Sequence, residues 1–294
     1  MPHFRTRIPR SRFTGGKKKI FNYNKQPTKD AEQAEPYYLR TGYIHPLYSP
    51  SDKVVTGDYA SDHPHPHGLF FAWTKTSFRG KPTEFWNQKK QLGDIRLNQF
   101  HGTEDKGRSR VGKIEQIYTK GKDSDEPILR ETWEISVPEQ KKSYNVFDLT
   151  STQTCATKDP LQIHKYHYGG MAIRGNAAWI PPTKDEAPVG KMLTSEGLTR
   201  ENGNHARPRW VALYGPIDGV TCGVAALANP DNFRAPQWVR LHPSKPYFVF
   251  APMVEEPVKI EPGKPYISKF RYVTFDGEPD TKVLDGIWKE FAEK

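Results

Sequence analysis

A chain of 294 residues with a mean hydropathy of −0.80 and no run near the ~18 apolar residues of a membrane span excludes a helical membrane protein. Its two cysteines, Cys155 and Cys222, exclude a disulfide framework and a CxxC zinc knuckle. The net charge of +10 would suit a nucleic-acid partner, but nine Lys or Arg and no acid fall within residues 1–29, leaving 35 of the 44 basic residues against all 34 acidic ones; no nucleic-acid partner is expected of so neutral a body.

In chain order, residues 1–17 read as a basic arm, solvated and poorly ordered, without the apolar core of a secretory signal. Residues 18–294 read as a single domain. The stretch "SDHPHPHGLFFAW" (61–73) places three histidines at alternate positions between prolines. Proline fixes its own φ and pushes the preceding residue out of the helical region, so the segment is expected to be extended, with His63, His65 and His67 on one face. Neutral imidazoles so placed could hold a divalent metal, act as acid or base, or simply fill a loop.

Beyond it, short segments such as "LRETWEISV", "SYNVFDLTSTQT", "TCGVAALA" and "KPYISKFRYVTFDG" lie between turn signals, among 26 Pro and 23 Gly. They predict an all-β antiparallel domain without repeats or a Gly/Ser linker. "YHYGGMAIRG" pairs two glycines, which permit close backbone approach, with His167, Tyr168 and Arg174, which could face a cleft or pack in a core. "LTSEGLTRENGNHARPRW" gathers Glu196, Arg200, Arg207 and Arg209 in a loop feeding a strand at Trp210; an acid/base site and plain surface charge pairs both give this pattern. Only "PDTKVLDGIWKEFAEK" has helical spacing, with Val283, Leu284, Ile287, Trp288 and Phe291 on one side.

From about Lys18 to the end, "GYIHPLYSPSDKVVTGDYASDHPHPHGLFFAW", "EFWN", "YHYGGMAIRGNAAW", "LTSEGLTRENGNHARPRW", "NPDNFRAPQWVR" and "FDGEPDTKVLDGIWKEFA" together resemble the bacterial family catalogued as methane-oxygenase-PmoA-like. The resemblance implies an antiparallel β-supersandwich related to galactose-mutarotase-like proteins, whose concave face holds a sugar, with a short C-terminal helix. It implies a carbohydrate ligand and, in the first place, an enzyme of sugar or polysaccharide degradation: an epimerase, or a lyase or hydratase on an oxidised sugar. A non-catalytic carbohydrate-binding protein is the alternative, and a metal-dependent oxygenase, as the catalogue name suggests, comes third. On this resemblance His63, His65, His167 and Glu196 are the expected catalytic groups. His67, Tyr168, Arg174, Arg200, Arg207 and Arg209 are the expected substrate contacts, and His63, His65 and Glu196 a candidate divalent-metal set, all converging on one concave site. The family pattern Asp-His-x-His-His-x-Gly is matched by Asp62, His63, His65 and Gly68, whereas Pro66 replaces its third His and His67 sits one place on. Family members are often exported, but no leader is recognised here; location and oligomeric state stay open.

Overall fold

The computed structural model describes residues 11–293 apart from residues 17, 29, 30, 33, 122, 123 and 184. Its strands pair antiparallel in three sheets. The largest has eight strands in the spatial order Lys191–Thr194, Trp210–Ile217, Val220–Ala228, Tyr266–Asp276, Tyr144–Cys155, Pro127–Pro138, Ser109–Thr119 and Asp94–Lys106. A seven-stranded sheet runs Ser11–Gly15, Lys18–Asn24, Tyr43–Leu47, Leu69–Ala72, Gly170–Arg174, Tyr247–Phe250 and Val239–Leu241. The third sheet, of four strands, is Val258–Ile260, Leu161–Ile163, Thr76–Phe78 and Lys81–Thr83.

The two large sheets form a sandwich. Along Tyr144–Cys155 every second residue is buried, Phe147, Leu149, Ser151 and Gln153 among them, which is the period-2 pattern of "SYNVFDLTSTQT" made physical. These inward side chains meet those of the facing sheet: Phe147 lies 4.7 Å from Phe21, Trp133 lies 6.1 Å from Tyr23, and Phe270 lies 5.3 Å from Phe250, ring centre to ring centre. One buried cluster draws residues from Phe13 to Tyr272.

The strand Trp210–Ile217 is apolar on both faces because both are covered. Val211 and Leu213 enter the main core, while Trp210, Ala212 and Tyr214 point the other way. There they meet α1 (Thr281–Ala292), capped by the Asp280 carboxylate on the Val283 N–H at 3.1 Å. Leu284, Ile287 and Phe291 are buried by this contact, and Trp288 donates its indole N–H to the Ala228 carbonyl at 2.8 Å. The helix thus lies on a sheet face rather than along an edge, and Val283, at 41 % exposure, stands outside the contact.

The basic arm needs correction. Ser11–Gly15 is not a tail but the edge strand of the seven-stranded sheet, paired with Lys18–Asn24. Phe13 explains why: it is fully buried and stacks on Phe21 at 4.6 Å, so one aromatic side chain outweighs the surrounding charge. Residues 1–10 and 17 lie outside the described residues. Phe13→Ala should therefore cost about 3–4 kcal/mol and lower the melting temperature by roughly 6–10 °C. A shift below about 2 °C in thermal unfolding would return this segment to the solvated arm.

Candidate functional site

The site grows from the centre of the seven-stranded sheet. Register sets Ala172 beside Phe70 and Val249, and Arg174 beside Tyr247. The alternate residues Phe71 and Phe250 look into the sandwich, toward Tyr266 at 6.4 Å and Phe270 at 5.3 Å. Phe70, Ala172, Arg174, Tyr247 and Val249 therefore line the face turned away from the eight-stranded sheet. Trp86 covers part of that face, 4.8 Å from Phe70 and 6.2 Å from Tyr247.

The histidine segment runs over the same face and is tied down at its glycine. Gly68 has φ 51°, and a Cβ there would come 2.1 Å from the Ile44 carbonyl oxygen, so only glycine fits. Its N–H donates to Gly57 O at 2.8 Å and its carbonyl accepts from Arg174 N at 2.7 Å. The close approach expected of the "GG" pair is present as well: at Gly170, with φ 131°, a Cβ would come 2.2 Å from the Phe250 carbonyl oxygen.

Arg174 is fully buried and its guanidinium bonds the Asp62 carboxylate. Lys245 Nζ donates to the Asp62 carbonyl at 2.6 Å and lies 3.5 Å from its carboxylate. The His63 and His65 rings sit 4.0 Å apart. His63 lies parallel to Tyr247, 5.9 Å away with 6° between the planes, and His242 closes the group at 4.7 Å from Tyr247. The N–H groups of Ser244 (3.2 Å) and Lys245 (2.9 Å) donate to His242 Nδ1, so the proton of the neutral ring is on Nε2. Asp62 and Lys245 also line an open cleft of ≈ 590 Å³ with Ile180, Pro181, Pro182 and Ser244.

Electrostatics keep these rings uncharged. Burial first, then Lys245 and Arg174, push His63 down to about 4. Burial and the neighbouring His63 push His65 to about 2, and burial with Arg240 and His63 pushes His242 to about 3. The Tyr247 phenol is pushed up to about 12, chiefly by burial. In the unfolded chain these histidines titrate near 6.5. Below that pH the unfolded state takes up protons the folded state refuses, so stability present above pH 6.5 is lost as pH falls toward 4 and below. Each histidine contributes a slope of at most about 1.4 kcal/mol per pH unit. Melting temperatures from pH 7.5 to 4.5 should fall less steeply for His63→Asn/His242→Asn than for the parent; equal slopes would contradict the neutral cluster.

The structure brings together some of the expected residues and separates others. His63, His65 and Arg174 share the site. His67 does not: it is fully buried, with Nδ1 on Asp58 Oδ1 at 2.7 Å and Nε2 on Gln88 Oε1 at 3.1 Å, under the rings of Tyr43 and Tyr59. The chain between Ser61 and Gly68 turns and bends instead of extending, which breaks the alternation and sends His67 inward. Arg200 is buried behind the site, where it holds the His242 and Lys245 carbonyls and that of Gly190, and so shapes the turn. His167 stands at the end of a row of rings, 4.8 Å from Tyr168, which is 5.2 Å from Trp86.

Glu196, Arg207 and Arg209 belong elsewhere. Glu196 is exposed and accepts from Ser195 Oγ, which itself accepts from the N–H groups of Arg209 and Trp210. Arg209 pairs with Asp285 of α1 at 3.1 Å, and Arg207 holds the Pro236 carbonyl over Trp238. The loop leaves the far edge strand Lys191–Thr194 toward the helix, so Glu196 does not complete a metal set with His63 and His65. Among the described residues no group of three or more His, Cys, Asp or Glu side chains is arranged to hold a metal.

Sequence reasoning missed Arg240, His242, Lys245 and Tyr247. A signal existed: "LHPSKPYFVF" repeats the grammar of "DHPHPHGLFF", a His-Pro turn with charge, then an apolar strand.

The fold and site define an antiparallel β-sandwich with an imidazole-rich polar cluster on the outer face of one sheet, beside an open cleft. The chain belongs to DUF6807, a family of unknown function, whose profile matches residues 10–289. No curated protein matches it. Solved structures to which it is similar include heparan sulfate lyase HepC from Pedobacter heparinus and a mutant of that lyase, with TM-scores of 0.37 and 0.36 and 10% identity to each. The matches cover 88% of this chain but 33% and 34% of those chains, so the chain spans about a third of their length.

Proposed function

We propose that the cleft beside Asp62 and Lys245 is the active site of a carbohydrate-active enzyme that moves a proton on a sugar ring, in an epimerisation or in a lyase or hydratase reaction on an oxidised sugar. The observation that carries this reading is the His63–Tyr247 pair: a neutral imidazole parallel to a protonated phenol at 5.9 Å, beside a carboxylate held by two cations. A neutral imidazole can accept a ring C–H proton while the C–H electron pair moves toward the adjacent carbonyl or carboxyl carbon, and Lys245 can stabilise the charge developing on oxygen. The Tyr247 hydroxyl, which has no protein partner among the described residues, returns a proton to the ring or to the departing oxygen. His63 gains one proton, Tyr247 loses one, and solvent restores both. The resemblance of Asp62-His63-x-His65 to the methane-oxygenase-PmoA-like motif, which implies a relation to galactose-mutarotase-like proteins, supports a sugar as the ligand.

One observation favours a second reading. Imidazoles pushed to about 4 and 2 are weak bases, which suits a carbohydrate-binding protein using them as hydrogen-bond partners. The oxygenase reading has no such support, since Glu196 lies apart from the histidines. The test is incubation with a panel of neutral and uronate-containing sugars, followed by product analysis for the parent and His63→Ala. Conversion by the parent and not by the variant is expected. Binding without conversion would favour the second reading, and neither binding nor conversion would overturn both.

A further inference from the structure

The strand Val239–Leu241 pairs with Tyr247–Phe250, with Arg240 opposite Val249. Because alternate residues share a face, Arg240 lies on the same face as Tyr247 and Arg174. Arg174, Arg200, Arg207 and Arg209 each have a carboxylate or carbonyl acceptor. Arg240 has none: its guanidinium makes no hydrogen bond or ion pair among the described residues, and its buried Nε is without a partner. It acts electrostatically on His167, His242 and Tyr247, two imidazoles and a phenol. Arg174 and Lys245 act on His63 together with the Asp62 carboxylate, and Arg240, Lys245 and Arg200 act on His242, Arg200 itself having Glu201 beside it. Asp62 is shared by Arg174 and Lys245, so Arg240, on the same face and unpaired, calls for an anion from outside, and a guanidinium's planar fork fits a carboxylate or a sulfate ester.

We infer that the site takes a sugar bearing a negative charge, as a carboxylate or a sulfate ester, and that Arg240 is the residue that selects it. This rests on the sugar reading above and adds the substrate class to it. The test compares methyl glucoside, methyl glucuronide and glucose 6-sulfate by calorimetric binding to the parent, Arg240→Met and Arg240→Lys. The parent should bind at least one anionic sugar tenfold or more tighter than the neutral one, and which of the two it prefers identifies the anion. Arg240→Met should bring that preference to near unity with neutral-sugar affinity unchanged, and Arg240→Lys should retain part of it. If Arg240→Met fails to fold, Arg240→Gln carries the same comparison. A parent that binds or converts neutral sugars equally well, or an Arg240→Met variant that keeps the preference, overturns the inference while leaving the sugar reading in place. Binding of none of the three by the parent overturns it together with the sugar reading.

Discussion

Asp62→Ala should destabilise the protein by about 3–4 kcal/mol, because it strands a guanidinium that has no access to water. Arg174 is fully buried, and the Asp62 carboxylate is its sole hydrogen-bond acceptor for the side chain among the described residues. Breaking a buried pair from one side costs more than the pair is worth, since the remaining charge keeps its desolvation penalty. The reverse change, Arg174→Met, should cost less, about 2 kcal/mol, because Asp62 is 19 % exposed and keeps Lys245. The double variant should recover part of the loss, and the cycle measured by urea unfolding isolates the coupling. A cost below about 1 kcal/mol for Asp62→Ala would mean that the pair is solvated.

His63→Ala should do the opposite. It should lower turnover of the converted sugar by roughly 10²–10⁴-fold, the ordinary contribution of a positioned proton acceptor, while changing stability by no more than about 1 kcal/mol. His63 is only partly buried, and its removal relieves a neutral imidazole held among cations. Tyr247→Phe should lower turnover with the ring packing kept. Equal losses of activity and of melting temperature for His63→Ala would mark a structural residue instead.

How much of this was legible in the sequence depends on whether the cause was local. Strand alternation in "SYNVFDLTSTQT" and helical spacing around Leu284, Ile287 and Phe291 are local patterns, and both elements form where expected. The N-terminal arm was misread because charge dominates its composition, whereas its fate is decided by Phe13 finding Phe21 across a sheet edge. His63, His65 and Arg174 stood out through their Pro and Gly punctuation, and Asp62 through the family pattern. Lys245, His242 and Tyr247 join them only through the pairing of Gly170–Arg174 with Tyr247–Phe250, which no window of sequence displays. His67 was misplaced because alternation holds in extended chain and fails at the bends before Gly68. Glu196 was misplaced because a loop's composition does not reveal which way it leaves its strand, and this one leads to Arg209 and α1.

In the proposed reaction His63 removes a proton from a ring carbon of a bound sugar. The most direct measurement follows a converted sugar deuterated at its ring carbons and counts the label in the product by mass spectrometry. Proton abstraction predicts the loss of one ring deuteron to water with the parent and none with His63→Ala; a product that keeps every ring deuteron would contradict it.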